Sequence, residues 1–289
     1  MRYIEPVFRP PSEADSYILQ VTYGCSRNKC TFCGMYAEKP FRVRPEAEVF
    51  EDIAVAARLW PDTRRVFLAD GDAMILKTGK LTRILDELSN RFHELERVAI
   101  YTDARGIETK TDQELAELKT RKLGIAYIGL ESGSENVLNK IKKGSTAAEM
   151  TRAVLRAESA SIQTSVIALL GIAGKAYTEA HAVETARVIS EMSPSFFSAL
   201  TLTLIPGTPL ADEAEKGFFV PITPEESLCE LSNMVSLIQP FRPVVFRTNH
   251  ASNYVPLRGV LPEDRGKILT TIDKALKEGA LRPEWARGL

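Results

Sequence analysis

Three of the four cysteines in this 289-residue chain lie within nine positions, in the segment GCSRNKCTFCGMY. Cys25 is followed by four residues and Cys30, and Cys30 by two residues and Cys33. In a reducing compartment, thiols clustered in this way indicate metal or redox chemistry more than disulfides. We therefore expect the chemistry of the protein to centre on these three thiolates.

Three interpretations of the cysteine segment compete. A structural zinc site needs a fourth ligand, which would be Cys229 or one of three histidines, and none of these has the paired spacing of a zinc finger or ribbon. Three buried structural thiols are possible, although a loop is a poor place to pack them, whereas the helical spacing around Cys229 favours a core thiol. An iron–sulfur cluster uses thiolates at such spacing and is the favoured interpretation, because three cysteines leave one iron open to substrate or cofactor.

The rest of the chain alternates between strand-like and helix-like segments. Apolar, β-branched runs predict six strands, and amphipathic patterns predict helices between them: SYILQVT, RVFLAD, VAIYTD, IAYIGLE, TSVIALLG and FFSALTLTLI. Thr111 is a plausible N-cap of one helix. Six such steps predict a parallel sheet with helices outside, as an open doubly wound sheet or a partial barrel, over residues 1–205. Residues 206–289 are richer in proline, carry two helical patterns and are expected to pack on this core as an extension.

Composition excludes several classes of protein. The net charge is −1, from 37 basic and 38 acidic residues, so the chain has no general signature of a polyanion-binding protein and a nucleic-acid partner is not favoured, though it stays open. No apolar run approaches the ~20 residues that span a bilayer. The first residues lack the pattern of a signal peptide. We expect a cytoplasmic protein without a membrane partner.

The cysteine segment resembles the radical S-adenosylmethionine (SAM) superfamily, whose usual motif has three cysteines spaced by three and then two residues. An aromatic residue precedes the third cysteine in that family, as Phe32 does here, whereas the first gap is one residue longer. The resemblance extends over about residues 16 to 210. It implies an α/β fold, a partial (β/α)6 TIM-like barrel with a C-terminal helical extension. It also implies that the cysteines hold a 4Fe–4S cluster to which SAM binds near Phe32.

The resemblance assigns residues at the ends of the second and third strands to SAM. Asp70, Gly71 and Asp72 occupy the place of a glycine-rich turn whose carbonyl oxygens bind the SAM ammonium. Asp103 and Arg105 match oxygen-independent coproporphyrinogen oxidase, where an acid lies two positions before an arginine. Asp103 is expected to pair with the SAM ammonium, and Arg105 is a candidate for substrate binding. The alternatives are an ordinary Asp-Gly turn and a solvent-exposed loop pair.

The segment IGLESGSENVLNKIKKGST resembles tRNA methylthiotransferase cores. Glu131 is expected to contact the amino-acid moiety or the ribose of SAM, unless it only serves as an acid at a helix N-terminus. Lys143 stands where the relatives carry an arginine for the SAM carboxylate, so it supplies the charge without the bidentate fork. Gly171, in LLGIAGK, is expected to let the backbone approach the adenine.

The polar stretch FRTNHASNYVPLRG has two interpretations. It caps the barrel mouth and binds substrate, or it forms a hydrogen-bonded structural corner. The candidate substrate residues in it are Arg247, Asn249, His250 and Asn253.

The function implied by the resemblance is reductive cleavage of SAM to a 5′-deoxyadenosyl radical that abstracts hydrogen from a substrate. It requires an electron donor such as a flavodoxin or ferredoxin. A small-molecule substrate is favoured, and sulfur insertion with an auxiliary cluster is not expected, since only Cys229 remains. Two alternatives stay open: cleavage of another SAM bond with 3-amino-3-carboxypropyl transfer, and a non-catalytic metal- or cluster-binding interaction protein.

Overall fold

The structure is a computed structural model that describes residues 1–287. Its strands are β1 Tyr17–Gln20, β2 Thr22–Tyr23, β3 Arg42–Val43, β4 Arg65–Ala69, β5 Arg97–Thr102, β6 Leu123–Glu131, β7 Gln163–Leu170, β8 Phe196–Thr201, β9 Val244–Arg247 and β10 Arg258–Leu261. Its α-helices are α1 Glu46–Leu59, α2 Thr78–Arg91, α3 Ala104–Glu108, α4 Asp112–Thr120, α5 Glu135–Lys140, α6 Ala147–Ser159, α7 Thr178–Met192, α8 Pro209–Glu215, α9 Pro224–Leu237 and α10 Arg265–Glu278.

Eight of the strands form one open sheet in the order β1-β4-β5-β6-β7-β8-β9-β10, and β2 pairs with β3 in a separate ribbon. The pairs β1/β4, β4/β5, β5/β6, β7/β8 and β8/β9 are parallel, whereas β9/β10 is antiparallel. The strands of a parallel sheet are apolar along their length because helices cover both faces. The predicted α/β class with a partial TIM-like barrel is confirmed.

The chain divides into two compact units. The first comprises residues 1–28, 35–128 and 153–164. In it, α2 packs against α1 and α4, and the register aligns Leu19 with Leu68 and Leu68 with Ile100. These three side chains are almost fully buried, so the first unit has an apolar core that holds the carboxyl ends of β1, β4 and β5 at one edge.

The second unit comprises residues 29–34, 129–152 and 165–289. Its core contains the rings of Phe197 and Phe246, which are tilted by 36° with centroids 5.7 Å apart. Helix α9 packs against both α7 and α10. Thr223 begins α9 with a capping box: its side chain accepts from the backbone of Glu226, whose carboxylate accepts from the backbone of Thr223.

Most of the expected elements are confirmed, and several short ones were missed. Thr111 caps α4, accepting a 3.1 Å hydrogen bond from the Glu114 N–H. The extension contains β9 and β10 in addition to helices, and α3 and α8 were not expected; each of the four has seven residues or fewer, too short for a clear periodicity. The domain boundary near residue 205 stays a prediction. None of the helices described between residues 1 and 287 combines the length and apolar character that a bilayer-spanning segment requires.

Candidate active site

Cys25 follows β2 and lies beside the turn at the end of β4. The Gly71 N–H donates to the Gly24 carbonyl oxygen at 3.2 Å. A Cβ built on Gly71 would lie 3.0 Å from the Cys25 Cβ and 2.5 Å from the Tyr36 ring. The backbone at residue 71 therefore approaches Cys25 more closely than any side chain would permit.

Cys30 and Cys33 lie in a tight turn of the second unit, in which the Cys33 N–H donates to the Cys30 carbonyl at 3.2 Å. Thr31 anchors this turn. Its N–H donates to the Ile141 carbonyl after α5 at 2.9 Å, and its carbonyl accepts from the Leu210 N–H in α8 at 3.0 Å. All three cysteines of the motif, and Phe32, are half-buried.

Over residues 1–287, the structure contains no group of three or more His, Cys, Asp or Glu side chains arranged to hold a metal ion. The three cysteines therefore stay predicted ligands. Cys229 is exposed on α9, so the expectation of a core thiol was wrong: its place in the helix turns it to solvent, whereas Leu228 and Leu231 are buried.

Asp70 is fully buried and ties the end of β4 to the cysteine segment. Its Oδ2 accepts from Gln20 Nε2 at 3.1 Å, the Gly24 N–H at 3.0 Å and Lys39 Nζ at 3.2 Å. Its Oδ1 has no hydrogen-bond partner within the described residues. Burial raises the pKa of the Asp70 carboxyl, while Gln20 and Gly24 oppose this shift.

Asp72 and Asp103 follow the ends of β4 and β5, and their carboxylates interact electrostatically. The Ser26 hydroxyl donates to Asp72 Oδ2 and accepts from Arg105 Nη2 at 2.6 Å. Asp103 Oδ1 caps α3 by accepting from the Gly106 N–H at 3.2 Å. Burial and then the Asp103 charge raise the pKa of Asp72 to about 7.

One buried oxygen of each of these carboxylates, Asp72 Oδ1 and Asp103 Oδ2, has no hydrogen-bond partner within residues 1–287. An unsatisfied buried acceptor costs free energy, and two of them beside each other attract a cationic donor. Neither carboxylate is fully exposed, and the assignment of Asp72 and Asp103 to SAM stays a prediction.

Glu131 and Lys143 form an ion pair in the second unit. Glu131 ends β6 with a left-handed backbone, at a φ of 62°. Lys143 Nζ lies 2.8 Å from Glu131 Oε1, and the two side chains are only 10% and 11% exposed. The structure thus brings together two residues that were assigned separately to SAM.

Gly171 ends β7 at a φ of 81°, a conformation that favours glycine. Its N–H donates to Glu230 Oε1 at 2.7 Å. Sequence reasoning missed Glu230, although the helical spacing of its neighbours contains the signal. Glu230 lies on the same face of α9 as Ser227 and Met234, and all three are buried.

Part of the polar C-terminal stretch is a structural corner. Asn253 Nδ2 donates to the Ala199 and Thr248 carbonyls at 2.9 and 3.0 Å, and its Oδ1 accepts from the Thr201 hydroxyl at 3.0 Å. The neighbouring candidates differ in exposure: His250 is half-buried, with its Nδ1 2.9 Å from the Ser252 hydroxyl, whereas Arg247 and Asn249 are exposed. These contacts fit the structural alternative for Asn253.

The sequence family model of the Radical SAM superfamily matches residues 19–211, about two thirds of the chain. The chain belongs to the radical SAM superfamily, a class of enzymes that use a 4Fe–4S cluster and SAM. None of the curated proteins is similar enough in sequence to match it.

Solved structures share the fold. Coproporphyrinogen III oxidase (HemN) from Escherichia coli has a TM-score of 0.60 and 16% identity, with 76% of this chain and 51% of that chain covered. The radical SAM methyltransferase TsrM from Kitasatospora setae, solved with cobalamin and a [4Fe-4S] cluster, has a TM-score of 0.56 and 19% identity, with 70% of this chain and 39% of that chain covered. Elp3 from Methanocaldococcus infernus has a TM-score of 0.54 and 17% identity, with 92% of this chain and 64% of that chain covered. This chain thus spans less than two thirds of each of these proteins.

The residues present fit the cofactors of the superfamily. Three half-buried thiols in one short segment are suitable donors for iron. The open oxygens of Asp72 and Asp103 suit an ammonium group. The backbone that Gly71 brings beside Cys25 would be blocked by any Cβ.

Proposed function

We propose that this chain is a radical SAM enzyme in which Cys25, Cys30 and Cys33 hold a 4Fe–4S cluster. The observation that carries the proposal is the family match over residues 19–211 with the three-cysteine motif inside it. A cluster held there would supply the electron for reductive cleavage of one carbon–sulfur bond of SAM to methionine and a 5′-deoxyadenosyl radical, with which the enzyme would remove hydrogen from its substrate.

The carboxylates at the ends of β4 and β5 bind the SAM ammonium. Asp72 and Asp103 each keep one buried oxygen without a hydrogen bond among the described residues, and a cation placed between them would relieve their mutual repulsion. Arg105 and Ser26 hold the other oxygen of Asp72 in place. The electrostatic gain from an ammonium here is larger than in water because the site is buried.

Lys143 binds the SAM carboxylate, and Glu131 orients the lysine. The 2.8 Å ion pair keeps the cation in a largely buried position, where a second carboxylate would gain from its charge. An ammonium has no planar fork, so this contact is one of charge and not of bidentate geometry. Gly171, with its left-handed backbone, lets the main chain approach the adenine.

The substrate is a small molecule, and the electron comes from a small redox protein such as a flavodoxin or ferredoxin. Members of the superfamily need a reductant. The balance of 37 basic and 38 acidic residues supports a substrate other than a polyanion.

Product analysis tests this proposal. The protein is reconstituted anaerobically with iron and sulfide, reduced with dithionite and given SAM, and the nucleosides are identified by mass spectrometry. We expect 5′-deoxyadenosine. Methylthioadenosine would instead support the transfer of a 3-amino-3-carboxypropyl group, and intact SAM with no iron bound would support neither enzyme.

A further inference from the structure

A buried row of polar side chains runs through the second unit, from the loop after β6 to α9. The Ser132 hydroxyl lies 2.8 Å from His181 Nδ1, and His181 Nε2 lies 3.6 Å from Glu230 Oε1. Ser132 and His181 are fully buried, and Glu230 is 4% exposed. Burying polar side chains costs free energy where a polar atom lacks a hydrogen bond, as His181 Nε2 does within residues 1–287.

One end of the row holds the backbone of the loop after β6. The Ser134 N–H donates to the Ser132 hydroxyl at 3.0 Å. The Gly133 N–H donates to the Thr185 hydroxyl at 2.9 Å, and that hydroxyl lies 3.3 Å from His181 Nδ1. A Cβ on Gly133 would lie 2.3 Å from the Glu184 carbonyl oxygen, so this loop is pressed directly onto α7.

The other end of the row holds the loop after β7. Glu230 Oε1 accepts from the Gly171 N–H at 2.7 Å, and Oε2 accepts from the Thr178 hydroxyl at the start of α7. Both carboxylate oxygens are therefore used by groups that define where β7 ends and α7 begins.

A serine, a histidine and a carboxylate in a row resemble a nucleophilic triad. Burial excludes that role, because no substrate reaches a fully buried Ser132 hydroxyl. Burial also lowers the pKa of His181 to about 4 and raises that of Glu230 to about 7. At neutral pH the imidazole is thus neutral. Its Nδ1 is bonded to the Ser132 hydroxyl, whereas its Nε2, 3.6 Å from Glu230 Oε1, makes a close polar contact that is longer than a hydrogen bond.

We propose that His181 and Glu230 are positioning residues that couple the loop of residues 131–134 to the loop of residues 171–174. This inference rests on the proposed function, in which these loops carry Glu131 and Gly171 to SAM. Because of this coupling, a change in the position of one loop changes the position of the other through α7 and α9.

Amide hydrogen exchange of the protein without cofactors tests the coupling directly. We expect Ser132→Ala to speed exchange in residues 171–174 by several-fold, although its hydroxyl makes no direct contact with that loop and is joined to it by the row of contacts through His181 and Glu230. Ser227→Ala is the matched control: Ser227 is buried on α9, and its hydroxyl has no hydrogen-bond partner among residues 1–287. Exchange that increases only around residue 132, or equally in the control, would overturn the inference.

Conservative replacement of His181 separates coupling from simple loss of packing. His181→Asn keeps a polar group near the position of Nδ1, so it should retain the protection from amide exchange of the unchanged protein at residues 132–134 and lose it at residues 171–174. His181→Ala should lose this protection at both loops. Equal exchange rates in the two variants at both loops would contradict the coupling.

SAM binding to the cluster-loaded protein links the coupling to function. We expect Glu230→Gln and Ser132→Ala each to weaken SAM binding by several-fold, with Ser227→Ala unchanged. If the unchanged protein binds no SAM, the proposed function fails, and the exchange experiment still decides on the coupling. If it binds SAM and both variants bind equally well, the coupling has no role in positioning SAM and the inference fails.

Discussion

The carboxylates at the strand ends differ between the two units. In the first unit, Asp72 and Asp103 each leave one buried oxygen without a hydrogen-bond partner within the described chain. In the second unit, Glu131 is ion-paired with Lys143, and both oxygens of Glu230 accept hydrogen bonds. Asp72 and Asp103 thus form an open pair, with one unpartnered oxygen on each carboxylate, whereas Glu131 is saturated by Lys143 and Glu230 by backbone and hydroxyl groups.

This difference separates buried acids that have an unpartnered oxygen from buried acids whose oxygens are bound by protein groups. An unsatisfied buried acceptor costs about 1–3 kcal/mol, and the fold gains nothing from keeping two of them together. A satisfied buried acid adds to the order of the elements that it joins. Removing the Lys143 cation should therefore lower the stability of the protein, whereas neutralising Asp72 should raise its stability and weaken SAM binding.

The largest expected effect is on the cluster itself. Cys30→Ala should bind no stable cluster and lose SAM cleavage entirely, because two remaining thiolates do not hold it. Iron and sulfide analysis after reconstitution measures this. Cys229→Ala, which changes an exposed thiol, should retain both iron and cleavage; a Cys30→Ala variant that does the same would show that the ligand assignment is wrong.

Removing the cation of the Glu131–Lys143 ion pair should lower the free energy of unfolding. Lys143→Ala leaves Glu131 buried without its cation, and breaking a buried ion pair in this way costs about 3 kcal/mol. Urea unfolding of the protein without cofactors gives the value. Lys142→Ala removes the adjacent, exposed lysine and should change the free energy of unfolding by less than about 0.5 kcal/mol; equal effects of the two variants would remove the contrast between the units.

Neutralising Asp72, one of the open pair Asp72 and Asp103, should instead raise the free energy of unfolding. Asp72 has a pKa raised to about 7, so its contribution to stability falls as the pH rises from about 4 to 7. Asp72→Asn removes this loss and should stabilise the protein without cofactors at pH 8, by about 1–3 kcal/mol.

The same substitution should weaken SAM binding to the cluster-loaded protein about tenfold, because it removes one charged hydrogen bond. Asp86→Asn, at an exposed ion pair with Arg121, should change neither property appreciably. A destabilised Asp72→Asn variant with unchanged SAM binding would place Asp72 with the structural acids.

A further effect concerns the pH dependence of stability. The pKa of Glu230 is raised to about 7, so the folded state holds this proton more tightly and the free energy of unfolding falls between about pH 4.5 and 7. Glu230→Gln should reduce that fall by about 2 kcal/mol, as measured by urea unfolding across the pH range. His181, with its pKa lowered to about 4, contributes the opposite slope below pH 6.5, and Glu225→Gln, an exposed neighbour on α9, should leave the profile unchanged.

The sequence predicted the fold class because long strands and helices carry strong periodicity. Helices lie between the strands as expected, and the capping residue of α4 was identified. The four-residue strands β9 and β10 were missed because so few residues do not establish an alternation.

The candidate site was predictable only where a motif is local in sequence. Glu131 and Lys143 were each assigned by resemblance, but their ion pair depends on the left-handed turn at the end of β6. Glu230 and His181 belong to different helices, and a single sequence does not reveal which distant polar groups meet in a core. The open oxygens of Asp72 and Asp103 likewise depend on the packing of two strand ends.

Electron paramagnetic resonance of the reduced, reconstituted protein, with and without SAM, tests the central claim most directly. We expect about four irons for each chain and a spectrum that changes when SAM is added, since SAM would bind the iron that the three cysteines leave open. A full cluster whose spectrum is the same with and without SAM would contradict the account.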